Sequence, residues 1–249
     1  MEDGRRLALV TGASTGIGAA LVDTLLAGGW EVVGLARRGV AVAHARLHPV
    51  AVDLGDADAL ERVIAHELAP RLAAGPWARV ALVNNAARLG DLARVTDFTA
   101  AGLHGILAVN AAAPIRLMGF ALAAVPAAVP LRIVNVSSGA AHMAIPGLAD
   151  YCASKAALLA AGRSLAAELE GTPRDVGLFS YEPGVVDTPM QDAARAADPA
   201  RFPSHAAFVG MQRNGDLAAP ADVVAPMVAY IAGAPRALFT EARYGAAEA

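Results

Sequence analysis

A single cysteine, Cys152, is all the thiol chemistry that the 249 residues contain. An internal disulfide is therefore excluded, no thiolate set exists for a structural zinc site, and no metal is expected. A basic surplus is lacking as well: 20 Lys and Arg stand against 23 Asp and Glu, giving a net charge of -3 and a pI near 6.1. Such a chain has no electrostatic footprint for nucleic acid. Long uninterrupted apolar runs are also missing, although the hydrophobic share is 56% and the mean hydropathy +0.45. Alanine carries much of that share. The most apolar region, 106–136, is broken by Asn110, Arg116 and Arg132 and by Pro114, Pro126 and Pro130, so it reads as buried core and not as membrane. Arg5-Arg6 would open an export signal only if a longer apolar run followed, and Leu7 to Val10 gives way at once to Thr11-Gly12. No targeting segment is expected, and a soluble, reducing, cytoplasmic setting is. Nothing resembles a linker, so one domain, 1–249, is expected.

What the chain does have is a stretch around which the rest is organised, Asp150-Tyr151-Cys152-Ala153-Ser154-Lys155-Ala156-Ala157. It opens an Ala/Leu-rich run to Glu170 without proline, which reads as a helix capped by Asp150. Tyr151 and Lys155 are four residues apart and share one face of that helix. A free tyrosine has a pKa of about 10, and a proton donor working near neutrality needs it lowered by about 3 units. A fixed lysine charge can supply much of that.

In chain order, Leu7 to Val10 is a strand ending in Thr11-Gly12-Ala13-Ser14-Thr15-Gly16-Ile17-Gly18, and a helix follows. Gly12 permits the tight turn, Gly16 lets backbone N–H groups approach a pyrophosphate, and Gly18 lets the helix lie close to the strand. The second strand, 31–36, is followed by Arg37 and Arg38 where a carboxylate would bind a ribose 2′-hydroxyl, so a 2′-phosphate and hence NADP(H) are favoured. A third strand over 49–54 carries Asp53 and Leu54 at its end, and a helix is expected over 56–72. A fourth strand, 80–83, ends in Asn84-Asn85-Ala86-Ala87. The run 96–125 reads as one long helix with Asn110 inside it, and a buried asparagine there needs a partner. A fifth strand, 132–137, ends in Ser137-Ser138-Gly139. The sixth, 175–181, is closed by Glu182-Pro183-Gly184-Val185-Val186-Asp187-Thr188-Pro189-Met190. The pattern then loosens over 191–217, Pro220 leads into a helix at 223–232, and 237–242 makes a last strand. Strand–helix alternation predicts an α/β fold: a Rossmann-like, doubly wound parallel sheet of about seven strands with helices on both faces.

The set Thr11-Gly12-x-x-x-Gly16-x-Gly18, Asn84-Asn85-Ala86, Asn110, Ser138, Tyr151-x-x-x-Lys155 and Pro183-Gly184 to Thr188 resembles the single-domain form of the short-chain dehydrogenase/reductase family, over essentially the whole chain. The resemblance implies that Tyr151 is the general acid, Ser138 hydrogen-bonds the substrate oxygen, and Lys155 lowers the Tyr151 pKa and holds the nicotinamide ribose. It also implies that Asn110 holds a water linking Lys155 to solvent. Gly12, Ser14, Thr15, Gly16, Ile17 and Gly18 would cradle the dinucleotide, and Arg37 and Arg38 the 2′-phosphate. Asp53, Leu54, Asn85 and Ala86 would flank the adenosine and ribose, and Pro183, Gly184, Val186 and Thr188 the carboxamide side.

Three positions depart from the family's commonest pattern. Ala87 replaces a frequent glycine, Thr15 stands where NADP-dependent members often carry a basic residue, and Glu182 precedes Pro183-Gly184 where a small or amide residue is usual. A closer similarity, to sepiapterin reductases and bacterial benzil-type diketone reductases, rests on Tyr151-Cys152-x-x-Lys155-Ala156, on Pro183 to Gln191 and on Arg213-Asn214-Gly215-Asp216-Leu217. It implies an NADPH-dependent carbonyl reductase acting on a small aromatic or vicinal diketone. The pocket is expected between His142, Met143 and Ile145 and a substrate flap at about 189–217 carrying Met190, Phe202 and Phe208. His142 would be a second acid or merely line that pocket. An alcohol dehydrogenase running in the oxidising direction and a non-catalytic dinucleotide sensor are the alternatives. A homodimer or homotetramer is expected through the 96–125 and 151–170 helices, with no nucleic-acid or membrane partner.

Overall fold

Alternation along β1 (Arg6–Thr11) sets the architecture, because Leu7 and Leu9 pack to one side while Ala8 and Val10 pack to the other. A strand buried on both faces needs helices on both. The computed structural model describes residues 4–40 and 42–245. Within them β1 joins β2 (Glu31–Ala36), β3 (Leu47–Ala51), β4 (Arg79–Asn84), β5 (Leu131–Val136), β6 (Val176–Glu182) and β7 (Phe239–Arg243). All pairings are parallel, in the order β3-β2-β1-β4-β5-β6-β7. This is the seven-stranded Rossmann-like sheet expected. Its order reverses between β1 and β4, and in such sheets the crevice beyond the carboxyl ends of the strands at that point receives ligands.

One face is covered by α1 (Gly16–Ala27), through Leu21 and Leu25, and by α9 (Ala225–Ala232), through Met227 and Ile231. The other is covered by α2 (Ala57–Val63), α3 (Ala69–Ala73), α5 (Ala113–Ala124) and α6 (Ala149–Leu169). Leu60, Leu72, Leu117, Met118 and Ala166 lie in that second core. The remaining helices, α4 (Ala100–Leu107), α7 (Pro189–Arg195) and α8 (His205–Asn214), flank the carboxyl end of the sheet.

Proline explains two departures from the expected elements. The helix expected over 56–72 is α2 and α3 joined by a π turn, Ile64–Leu68, because Pro70 has no N–H to give to the carbonyl of His66. The long 96–125 helix begins instead at Ala100, where the Thr99 hydroxyl accepts from the Gly102 N–H at 3.0 Å, and a 3-10 turn fills Val95–Asp97. A second π turn, Ala108–Ala112, precedes Pro114. The stretch Ala100–Ala124 is long and apolar enough to cross a membrane by composition, at a mean hydropathy of 1.7. Half of it is buried against the sheet, as in a core helix, with Leu117, Met118 and Ala121 inside.

Other boundaries moved for reasons of pairing and capping. β3 starts at Leu47 and ends at Ala51, opposite the last residue of β2, so its ladder has no partner further on and Asp53 lies beyond the strand. α6 begins at Ala149, and Asp150 is not its cap but sits inside the first turn, 4% exposed. The segment 191–217 carries most of α7 and all of α8. α9 starts at Ala225 with Pro226 in its first turn, not at Pro220.

Candidate active site

The glycine loop is built by close approach. Gly12 (φ +68°) and Gly16 (φ +56°) hold left-handed backbone that glycine adopts without penalty. A Cβ on Gly18 would stand 2.1 Å from the Gly12 carbonyl oxygen, so only glycine lets α1 start this close to β1. A Cβ on Gly16 would meet the Thr188 methyl at 3.0 Å, so the loop after β6 lies directly over the glycine turn. Thr15 is the N-cap of α1, and no acidic residue occupies the first turn of the helix, which leaves its N–H groups and positive dipole end for an anion.

Thr11, the first residue of the glycine motif but one given no role from the sequence, pins this loop to β4. Its buried hydroxyl donates to the Val83 carbonyl at 3.3 Å and accepts from the Asn85 and Ala86 N–H groups at 3.0 Å each. The Asn85 amide donates back to the carbonyls of Thr11 and Gly12 at 2.9 and 3.3 Å. Asn85 therefore braces β1 against β4, and its amide is spent on protein.

Beside the loop a cleft of about 480 Å³ is lined by Ser14, Thr15, Arg38, Gly39, Val40, Pro49 and Ala51. Arg38 faces it and Arg37 is not among the lining residues, although both are exposed. Asp53 is exposed, its carboxylate accepting from the Gly55 N–H at 2.9 Å, and Leu54 is buried. The donors and small residues of this crevice fit a dinucleotide: a helix start without acids, three glycines where a Cβ would crowd or strain, and a cation at the outer end.

Ser138, Tyr151 and Lys155 converge at the carboxyl end of β5. Tyr151 is 8% and Lys155 2% exposed, the two facing inward from successive turns of α6. The Lys155 ammonium lies 5.7 Å from the centre of the Tyr151 ring and donates to the Val136 carbonyl at 2.8 Å. Burial pushes the Tyr151 phenol up to about 12, against a hydrogen bond from Ser138 that pulls it down. Burial likewise pushes Lys155 down to about 8. Desolvation, and not the lowering expected from Lys155, sets the direction for the phenol, and the group that opposes desolvation is the Ser138 hydroxyl.

The Asn110 side chain finds its partners within the protein. Its amide oxygen accepts from the Arg88 N–H at 2.9 Å, and its NH₂ donates to the Arg88 carbonyl at 2.9 Å and to the Ser154 hydroxyl at 3.0 Å. Pro114 has no N–H, so the Asn110 main-chain carbonyl lacks an α-helical donor. The side chain holds the π turn and α6 together. From the sequence Ser154 had no role and Asp150 only that of a helix cap. Ser154 is fully buried and donates to the Tyr151 carbonyl at 2.8 Å, while Asp150 accepts from the N–H groups of Tyr151 at 2.8 Å and Asp91 at 3.2 Å.

Over this centre lies an apolar cluster of Ile106, Leu148, Tyr151, Phe202 and Phe208, the two phenyl rings 5.4 Å apart. Phe202 is fully buried and Met143 is 61% exposed, so the former seals the region and the latter stands at its rim. The Ser204 hydroxyl donates to the Pro146 carbonyl at 2.7 Å, tying the 189–217 segment to the loop after Ser138. On the other side Pro183 and Val186 are buried, Gly184 takes φ +75°, and Thr188 caps α7.

Comparison with known proteins agrees with this geometry. Residues 6–199 match the short chain dehydrogenase family model. Benzil reductase ((S)-benzoin forming) of Bacillus subtilis is 28% identical over 215 residues, covering 86% of this chain and 88% of the relative. The 1-deoxy-11-beta-hydroxypentalenate dehydrogenase of Streptomyces avermitilis is 36% identical over 190 residues, covering 74% and 69%. Among solved structures, a protein from Beutenbergia cavernae with bound NADP superposes with a TM-score of 0.78 at 27% identity, covering 97% of this chain and 95% of that one. The chain belongs to the short-chain dehydrogenase/reductase family of oxidoreductases, which work with a nicotinamide dinucleotide.

Proposed function

We propose that the protein is an NADPH-dependent carbonyl reductase for small apolar ketones or vicinal diketones, with Tyr151 as general acid. The observation that carries this reading is the meeting of a buried, protonated phenol, a serine hydroxyl bonded to it and a buried amine at the mouth of the dinucleotide crevice. When bound, the reduced nicotinamide supplies the hydride. Tyr151 holds the proton that goes to the substrate oxygen, and Ser138 hydrogen-bonds that oxygen as negative charge builds on it. Lys155 keeps a positive charge beside the phenol at neutral pH and holds the ribose hydroxyls. Gly12, Ser14, Thr15, Gly16, Ile17 and Gly18 hold the pyrophosphate side, and Pro183, Gly184, Val186 and Thr188 the carboxamide side. Asn110 keeps the helix next to Lys155 in register and holds the water that links Lys155 to solvent.

The preference for NADPH rests on Arg38 at the cleft and on the absence of a carboxylate at the end of β2. The substrate class rests on the aromatic lining given by Phe202 and Phe208 and on the similarity to a benzil reductase. Pairing of two copies through α4, α5 and α6 is supported by the exposure of Leu107 and Ile115, and light scattering reads it directly.

The test is a panel of aromatic diketones, quinones and pterins, followed by NADPH absorbance. Turnover of a diketone with NADPH, and little with NADH, is the expected result. Tight NADPH binding without consumption by any compound would leave a dinucleotide-binding protein instead of a reductase. Preferential binding of NAD would favour the oxidising direction.

A further inference from the structure

Three ionisable groups that the proposed reaction does not use meet beside the site. Glu182 ends β6, His142 follows the 3-10 turn after Ser138, and Glu241 stands on the neighbouring strand β7. His142 Nε2 is 2.8 Å from Glu241 Oε1 and 3.3 Å from Glu182 Oε1, and the ligand atoms of all three lie within 4.8 Å of one another.

Two features distinguish this trio from scattered surface acids. Glu182 is only 9% exposed at the end of a wholly buried strand, where a carboxylate is costly unless a cation faces it. Of the permanent cations nearby, Arg243 stands opposite Glu182 in the β6–β7 register, and Arg163 donates to Glu241 Oε2 at 2.8 Å. That bond holds the Glu241 carboxylate by one oxygen and turns the other toward His142, as outer partners do for ligating groups.

We propose that His142, Glu182 and Glu241 bind a divalent transition-metal cation of borderline softness, zinc foremost, with one coordination position left open. One imidazole and two carboxylates form a nitrogen–oxygen set suited to such an ion, and the two carboxylates balance its charge. Ligands about 2.0–2.1 Å from a tetrahedral centre are about 3.3 Å apart, close to the His142–Glu182 separation. The site departs from the expectation of no metal, which rested on the shortage of thiolates; this donor set needs none. Glu182 Oε2 lies 3.7 Å from where a Cβ on Gly139 would stand, so a bound ion would clamp the loop carrying Ser138 to β6 and β7.

The full-length protein, stripped with a chelator, is titrated with Co²⁺ and then Zn²⁺ and followed by calorimetry and by visible absorption of the cobalt. One equivalent is expected to bind at micromolar concentration, with cobalt bands that zinc abolishes and a higher thermal midpoint. His142→Ala and Glu241→Gln should each weaken cobalt binding at least about tenfold, a loss like those that follow disruption of a metal's outer shell. Circular dichroism checks that both variants remain folded. Equal binding by wild type and both variants would overturn the proposal. So would the absence of saturation up to millimolar metal, with the His142 imidazole found by NMR to carry a proton at neutral pH: the trio would then be an ion pair.

Discussion

The Asn110 amide donates to the Ser154 hydroxyl at 3.0 Å, and that hydroxyl donates in turn to the Tyr151 carbonyl at 2.8 Å. The π turn before α5 is thereby coupled to the first turns of α6, so a residue that touches no ligand positions the phenol. Ser154→Ala should destabilise the protein by about 1–3 kcal/mol, the cost of leaving a buried amide proton without an acceptor, as read by urea unfolding. It should also lower kcat more than it raises KM. An unchanged unfolding midpoint would show that the coupling has no weight.

Tyr151→Phe removes one hydroxyl from a ring that stays packed against Phe202 and Leu148. Turnover should fall by at least about 100-fold, the usual range for a positioned acid. NADPH affinity, measured by fluorescence titration, should stay within about twofold, because in the proposed reaction the phenol oxygen serves the substrate. A variant keeping most of its activity would remove Tyr151 from the mechanism.

Arg38 lines the cleft beside Ser14 and Thr15, and Arg37 does not. Arg38→Glu should therefore weaken NADPH binding by at least about tenfold, the effect of losing one charge-assisted contact of about 1.5–3 kcal/mol. NADH should be little affected, and Arg37→Glu should have the smaller effect. Isothermal titration of both nucleotides against both variants checks the order, and a larger loss at Arg37 would reverse the assignment.

Lys155 is held at about 8, below the ordinary lysine value of 10.5, because burial disfavours its charge. Below pH 8 the amine is charged in both folded and unfolded chains, and the native state bears the whole penalty. Between pH 8 and 10.5 the unfolded chain binds the extra proton, so this group's contribution to stability rises with pH. Lys155→Met should be inactive yet more stable at pH 7, by up to about 3 kcal/mol less the lost bond to Val136, with the gain shrinking toward pH 10. Denaturant midpoints at the two pH values provide the measurement, and a variant less stable at pH 7 would contradict it.

Much of the fold was legible because its signals are local. The glycine turn after β1, the alternating strands and the four-residue spacing of Tyr151 and Lys155 are each dictated by neighbours along the chain, and the observed strands fall where those patterns lie. Boundaries slipped where a partner decided them: β3 ends where β2 runs out, and Asp150 turns inward to serve Asp91 instead of capping α6. The π turns at Ile64–Leu68 and Ala108–Ala112 follow from Pro70 and Pro114, which the sequence displayed without showing which carbonyl each would leave unserved.

The sequence by itself determined the layered sheet, the dinucleotide crevice and the family to which the chain belongs, since periodicity and glycine placement act over a few residues. Only the tertiary structure decided which arginine faces the cleft, what holds Asn110, which way burial moves the phenol and the amine, and that His142, Glu182 and Glu241 meet. Those are facts of distance and solvent exclusion between residues far apart in the chain, and they come into being only when the strands lie side by side and the helices pack on them.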